Sequence, residues 1–179
     1  MRASAPTAAA FAFAAALALT ACDSGGGDSG TEDRETGRSG AACRLDGVAV
    51  DAVASAAPAA GDTGTVSFTV TNRGAACTLD GLPAVTLVAG DTSVKVPADA
   101  AAPERKLTLA EATAVSFTLT YVRGEADGGH GLAVTTARVA LPGAADTRDF
   151  PWSYGDVSPK DGGTEVPDAT VGPFQQAGD

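Results

Sequence analysis

The sequence contains few of the residues that build catalytic and metal centres. Its 179 residues include one histidine, three cysteines and one methionine, which is Met1. A hydrolase needs a nucleophile, a base and an oxyanion hole in one place, and copper sites need clustered histidine, cysteine or methionine. We therefore expect a protein without enzymatic activity and without a cofactor.

Basic residues are also scarce. Twelve lysines and arginines stand against 22 aspartates and glutamates, for a formal charge of −10. Nucleic acids and anionic lipid surfaces repel a chain of this charge. We therefore expect no nucleic acid partner, and we attribute the acidity first to solubility in an exposed compartment.

The sequence has no apolar run long enough to stay in a membrane as a helix. The stretch from Ala8 to Ala21 is almost wholly apolar, but Asp23 ends it short of the roughly 20 residues that a span needs. A short apolar stretch behind a single positive charge, here Arg2, is typical of an export signal. A twin-arginine signal is not indicated, because Arg2 stands alone.

At the end of this stretch, Leu19-Thr20-Ala21-Cys22 resembles the lipobox of bacterial lipoproteins. The resemblance implies cleavage of a signal peptide over 1–21, acylation of Cys22 and a location on the outer face of a bacterial plasma membrane. Two acyl chains would anchor the protein stably, whereas one chain binds only marginally. The alternative is an ordinary secretory signal followed by a coincidental cysteine.

Composition divides the remaining chain into three parts. Residues 22–42 are rich in glycine, serine and charged residues without apolar periodicity, which predicts a disordered linker behind the acylated cysteine. Residues 158–179 are rich in glycine, proline and acids, which predicts a loosely held tail. The predicted folded domain is therefore 43–157.

The predicted domain carries the alternation that is typical of β-strands with one buried face. It is clearest at 65–71 and 115–121, where Val, Phe, Leu and Tyr alternate with Ser and Thr. Further strands are indicated at 48–50, 85–87, 94–96, 107–109 and 132–141. About seven short strands separated by turns predict an all-β fold, an immunoglobulin-like antiparallel β-sandwich.

Behind Cys22 only two cysteines remain, Cys43 and Cys77. In an oxidising compartment an isolated pair of this kind most often forms a disulfide. Such a bond adds roughly 3 to 4 kcal/mol to stability on the chain-entropy model. The alternatives are a metal site, which would need more ligands, and a Cys-His nucleophile, which a second thiol nearby does not favour.

Several polar side chains are candidates for functional residues. His130 lies in a glycine-rich loop and could act as a base or ligand, although a solvent-exposed loop histidine is the simpler interpretation. The acids Asp156 and Asp161, or Glu125 with Asp127, offer the oxygen ligands that calcium takes. Because neither pair has a recognisable loop spacing, solvated acids are the simpler interpretation and no metal site is predicted.

The densest aromatic cluster consists of Phe150, Trp152 and Tyr154. Aromatic side chains at the edge of a sandwich can form a recognition patch for a sugar or a peptide. Trp152 could equally close the core under the last strand. The cluster is therefore a candidate recognition patch with a structural alternative.

The segment Thr71–Pro83, which contains Cys77-Thr78-Leu79-Asp80-Gly81-Leu82-Pro83, resembles a family of actinobacterial secreted proteins and lipoproteins known only as a domain of unknown function. Leu82 stands where the family usually has an aromatic residue. Cys43 resembles the family's first cysteine, so the resemblance implies that Cys43 pairs with Cys77. Family members often have a second cysteine pair and a Pro-Gly turn before the strand at 115–121, where this chain reads Leu109-Ala110-Glu111-Ala112.

Two functions from different classes follow. The first is a non-catalytic binding or interaction module of the cell envelope, with an envelope protein or a glycan as its partner. The second is a structural or accessory envelope lipoprotein without a ligand of its own, and an envelope hydrolase is the least supported alternative. An exposed apolar patch around 150–154 would favour the first function, and a uniformly polar surface the second.

Overall fold

The computed structural model describes residues 40–126, 131–162 and 166–176. These ranges contain eleven β-strands and one short 3-10 helix. The strands are β1 (Val48–Ser55), β2 (Thr63–Asn72), β3 (Cys77–Asp80), β4 (Ala84–Ala89), β5 (Thr92–Lys95), β6 (Lys106–Leu109), β7 (Ala114–Val122), β8 (Thr136–Ala140), β9 (Thr147–Pro151), β10 (Ala169–Val171) and β11 (Gln175–Gln176). The helix is Lys160–Gly162. The predicted all-β fold is confirmed, with more strands than the seven expected.

The strands form two sheets and a short ribbon. The first sheet has the order β1-β2-β7-β10, and β11 also pairs with β7. The second sheet has the order β5-β4-β8-β9, while β3 pairs with β6 in the ribbon. All these pairings are antiparallel. Side chains of both sheets meet in one core, so the arrangement is sandwich-like, as predicted.

The centre of the core is a set of phenylalanine rings. Phe68 on β2 lies opposite Phe117 on β7, and the two rings stack with their centroids 5.0 Å apart. Phe150 on β9 packs edge-on against Phe68 at 5.2 Å and joins the two sheets. Burial of such rings stabilises a fold in proportion to the apolar area removed from water, with a further gain from this geometry.

The C-terminal residues belong to the fold, which corrects the prediction of a loose tail over 158–179. Strand β10 pairs with the outer side of β7, and Val171 and Phe174 are only 1% and 4% exposed. The ring of Phe174 packs edge-on against Phe117, with centroids 5.4 Å apart. A strand of three residues is too short for alternation to reveal it, so the glycine and proline around it dominated the prediction. The folded domain continues past 157 to residue 176.

The N-terminal boundary of the domain is fixed by the disulfide. Cys43 and Cys77 are bonded, which confirms the predicted pair. Just before Cys43, Ala42 forms a parallel bridge with Thr78, and the N–H of Thr78 donates to the carbonyl of Ala41 at 2.9 Å. Ala41 and Ala42, the last two residues of the predicted linker over 22–42, therefore belong to the folded domain. Residues 1–39, which include the predicted signal peptide and Cys22, lie outside the described residues.

Within the described ranges, no helix has the length and apolar character that crossing a membrane requires.

Asn72, the last residue of β2, holds the turn between β6 and β7. Its side chain is buried, and its Nδ2 donates to the carbonyls of Leu109 and Ala110 at 3.0 and 3.2 Å. Its backbone N–H donates to Thr113, and its carbonyl accepts from Ala112, both at 2.9 Å. A buried polar group is tolerated only when hydrogen bonds satisfy it, and here those bonds tie two turns together.

The same turn contains a strained alanine. The N–H of Thr113 donates to the carbonyl of Ala110 at 3.2 Å and closes a four-residue turn, in which Ala112 has a φ of 60°. A positive φ at the third position defines a type II turn, which favours proline at the second position and glycine at the third. Ala112 thus occupies the position at which such a turn favours glycine.

We predict that Ala112→Gly raises the free energy of unfolding by about 0.5 to 1 kcal/mol. The left-handed conformation costs an alanine roughly 1 to 2 kcal/mol, and the greater freedom of glycine in the unfolded chain offsets part of the gain. Urea denaturation would measure the change. The matched control is Ala101→Gly, in an exposed loop without positive φ, which should lower stability slightly. A less stable Ala112→Gly protein would contradict the prediction.

Candidate functional site

An apolar cleft of about 340 Å³ lies between β1 and β9, the edge strands of the two sheets. This is one open side of the sandwich, because β1 and β9 do not pair with each other. The cleft is lined by Val50, Asp51, Ala52, Val66, Phe68, Ala137, Phe150, Pro151, Trp152 and Tyr154. A preformed depression of this size, lined mostly by residues with apolar or aromatic side chains, is typical of a small binding site.

The three residues predicted as a recognition patch all line this cleft, but they differ in exposure. Trp152 is only 7% exposed, whereas Phe150 and Tyr154 are half-buried. Phe150 and Trp152 are two residues apart on an extended segment, which turns both side chains to the core side. Trp152 is thus a core residue, which was the structural alternative, and Phe150 and Tyr154 form the accessible wall.

The other wall was not predicted from the sequence. Val50 and Ala52 on β1 and Phe68 on β2 lie about 80 to 100 residues before the aromatic cluster and reach it only through the packing of the two sheets. The apolar pattern placed Val50 and Phe68, but not Ala52, in predicted strands. No local pattern could have identified them as neighbours of Phe150.

Trp152 holds one end of the cleft together. Its ring packs edge-on against Tyr121 on β7 and against Tyr154, with centroids 4.9 and 4.8 Å apart, and its Nε1 donates to the carbonyl of Gly155 at 2.7 Å. The hydroxyl of Tyr121 donates to the carbonyl of Tyr154 at 3.2 Å and accepts from the N–H of Ala57 at 3.3 Å. These contacts join both sheets and the loop after β1.

Tyr121 fits at this end only because its cross-strand neighbour on β2 is Gly64. The two residues are directly opposite each other in the register. A Cβ atom at position 64 would lie 2.5 Å from Cζ of Tyr121, far inside van der Waals contact. The glycine in β2 therefore provides the space for the ring.

Arginine side chains hold β9 at the other end of the cleft. Nη2 of Arg148 donates to the carbonyl of Leu45, just before β1, at 2.8 Å. Arg138 on β8 forms two hydrogen bonds, of 2.7 and 3.0 Å, with the carboxylate of Asp149, its cross-strand neighbour. These hydrogen bonds lower the pKa of Asp149 below its usual value and raise that of Arg138. Edge strand β9 is thus fixed by side chains as well as by its ladder.

Among the described residues, strand β1 has no strand partner on the side away from β2, so it presents backbone groups beside the cleft. The N–H of Asn72 donates to the carbonyl of Thr113, on the β7 side of β2. The backbone groups of successive residues in a strand point to opposite sides. Every second residue of β2, counted from Asn72, therefore directs its N–H and C=O groups toward β7. The β1 residues opposite them are Val50, Ala52 and Ala54. Their N–H and C=O groups therefore point away from β2, along the open edge.

Two other depressions have larger volumes, about 590 and 390 Å³. The first lies between Pro103 and Gln176, and the second lies beside Glu125 and Gly131. Both reach the limits of the described residues, whereas every residue that lines the β1–β9 cleft lies well inside them. The cleft is therefore the best-defined candidate site.

The polar candidates from the sequence do not assemble a second site in the described part of the chain. Across residues 40–126, 131–162 and 166–176, no three His, Cys, Asp or Glu side chains come close enough to hold a metal ion. His130 and Asp127 lie outside these ranges.

Residues 43–175 match the model of a family described as Domain of unknown function (DUF4232). The chain belongs to this family. The DUF4232 match includes the disulfide, both walls of the cleft and β10, in agreement with a domain that continues beyond 157. Comparisons with curated proteins and with solved structures give no match. Membership of the DUF4232 family therefore assigns no activity, and the function must be argued from the cleft.

We predict that Trp152→Ala lowers the free energy of unfolding by about 3 to 5 kcal/mol, as is usual for a large buried aromatic residue. Phe150→Leu should cost only about 1 kcal/mol, because Phe150 is half-buried and keeps an apolar side chain. Urea denaturation of both variants would test the difference. Similar losses of unfolding free energy in the two variants would show that Trp152 does not stabilise this end of the cleft more than Phe150 stabilises its wall.

Proposed function

We propose that the protein is a lipid-anchored module of the bacterial cell envelope that binds a partner in the β1–β9 cleft. One observation carries the proposal: between β1 and β9 the two sheets leave an opening that is walled by aromatic side chains and whose ends are fixed by Trp152 and Arg148. A monomeric domain gains nothing in stability from leaving such a surface open to water. A partner that covers Phe150 and Tyr154 explains why it stays open. The proposal includes no catalytic step.

The proposed location rests on the sequence. The lipobox-like segment Leu19–Cys22 supports acylation of Cys22 and an anchor at the outer face of the plasma membrane. A disulfide such as Cys43–Cys77 persists in an oxidising, extracytoplasmic compartment. Both features agree with the actinobacterial secreted proteins and lipoproteins that the chain resembles.

A structural or accessory lipoprotein without a ligand is the second candidate. Over the described residues, the large hydrophobic residues that are exposed are Val53 and Val166. The surface away from the cleft is therefore mostly polar, as expected for a spacer. Occupancy of the cleft in cells distinguishes the two functions.

We predict that Cys22→Ala leaves an unacylated precursor that is not processed at 21–22. Incorporation of a palmitate analogue and mobility of the protein in gels would measure this, with globomycin treatment of the parent as a second route to the precursor. The matched control replaces Cys43 and Cys77 together and should still be acylated. Unchanged processing of Cys22→Ala would contradict the lipid anchor.

We predict that a photoreactive amino acid at Tyr154 forms a specific adduct in living cells. The same amino acid at Ser93, on the exposed β5, should not form it, because Ser93 lies in the other edge strand of the second sheet. Ala52→Trp, which fills the cleft from a half-buried position, should abolish the adduct. If Tyr154 and Ser93 give the same products, the accessory function is favoured instead.

A further inference from the structure

The edge of β1 lacks the features that usually prevent another strand from adding to a sheet. Edge strands are commonly blunted by proline, lysine, inward-facing charge or a bulge. Strand β1 has eight residues, contains no proline or lysine, and pairs with β2 without interruption from Val48 to Ser55. Its one charged residue, Asp51, faces solvent. By contrast, edge strand β9 ends in Pro151.

The unpaired groups on this edge match a peptide backbone. The N–H and C=O groups of Val50, Ala52 and Ala54 recur at every second residue, about 7 Å apart. An added main chain in extended conformation satisfies donors and acceptors at this spacing, and this is how β-strand addition recognises peptides. We propose that the partner is a basic protein segment that binds in extended conformation as an additional strand on β1. This inference deepens the proposed function and rests on it.

The cleft determines which types of side chain such a segment needs at its inward positions. Side chains alternate across a strand, so half of them would enter the cleft beside Val50 and Ala52 and meet the half-buried ring of Phe150. These inward positions require apolar side chains. The other half would lie on the solvent face, beside Asp51 and Val53.

Charge complementarity makes the outward positions basic. In the part of the chain that the structure describes, the salt bridges are Arg44–Asp46, Lys106–Asp80 and Arg138–Asp149, so Asp51 has no ionic partner there. A lysine or arginine beside Asp51 would form a cross-strand pair of opposite charge. The excess of 22 acids over 12 bases in the whole chain also attracts a basic segment.

Strand addition requires no rearrangement of the domain. The contact of Arg148 with Leu45 and the contacts among Trp152, Tyr121 and Tyr154 already fix the two ends of the cleft. The free edge and the apolar cleft beside it are present together before binding. Preorganisation of this kind favours affinity, because ordering costs are lower.

The test is a titration calorimetry experiment on the purified full-length protein. The probe is the peptide Thr-Val-Lys-Val-Lys-Val-Thr, acetylated and amidated, with its valines on one face and its lysines on the other. We expect saturable binding that weakens with added salt, and slower hydrogen exchange at the amides of Val50, Ala52 and Ala54. The same peptide with glutamate for lysine, or with every backbone nitrogen methylated, should not bind.

Two variants of the protein locate the binding edge. Ala52→Pro removes an N–H that points away from β2, so it keeps the β1–β2 ladder and should weaken binding about tenfold or more. The matched control is Ser93→Pro on β5. The N–H of Ser93 also points outward. The N–H of Val96 donates to the carbonyl of Val85 beside β4, and because this direction alternates along the strand, Val94 faces β4 and Ser93 faces away from it. Ser93→Pro should bind like the parent, while Asp51→Lys should bind about fivefold more weakly.

The possible results separate the proposals. Absence of peptide binding, or equal binding by the parent and by Ala52→Pro, would overturn strand addition. A dimer in sedimentation that Ala52→Pro dissociates, without peptide binding, would identify a second copy of the chain as the occupant and overturn it as well. If the peptide fails while the Tyr154 adduct persists in cells, the proposed function stands without this inference. A carbohydrate adduct would identify a glycan instead.

Discussion

The stacked rings of Phe68 and Phe117 occupy the middle of the fold, and the other elements are arranged around them. They lie opposite each other on β2 and β7, which pair over nine consecutive positions, and both are essentially inaccessible to water. Phe150 contacts Phe68 from the second sheet, and Phe174 contacts Phe117 from the C-terminal segment. Four rings therefore run from the cleft through the core to the last strands. Because Phe68 also lines the cleft, closing the cleft would require moving the centre of the core.

The two sides of the sandwich are closed in different ways, and this difference leaves the cleft. On the far side, Val171 of β10 exchanges backbone hydrogen bonds with Pro97 and Asp99, which follow β5, at 3.0 and 2.9 Å. A backbone bridge of this kind satisfies the edge groups of β10 within the domain. On the near side, β1 and β9 are joined by side chains at the two ends, and the backbone edge between them is left unpaired. The opening is a consequence of topology, and it coincides with the most aromatic part of the surface.

The sequence was sufficient to predict the strands that have one buried and one exposed face. All seven strands expected from alternating or paired apolar residues are present, and Cys43 pairs with Cys77. The four strands that were missed carry no such signal: β3 buries Cys77, Thr78 and Leu79 in succession, β9 contains charged residues and a proline, and β10 and β11 have three and two residues. Their positions depend on partners far away in the chain. The same holds for the cleft, since Phe150 could be noticed as part of a cluster but its facing residues could not.

In the proposed anchored state, the disulfide would affect where a pulling force on the anchor acts on the domain. A chain pulled from Cys22 would transmit its load to the domain at residues 41–43, where Cys43 is covalently joined to β3. Strand β3 pairs with β6, and the turn after β6 is fastened to β2 through Asn72. The load is thus carried into the centre of the first sheet before it reaches Val48, where β1 begins. Without the disulfide, only the backbone hydrogen bonds of Ala41 and Cys43 with Thr78 would separate the pull from β1, the edge strand that flanks the cleft. A covalent bond at the entrance to the domain therefore protects the one strand whose free edge the proposed binding requires.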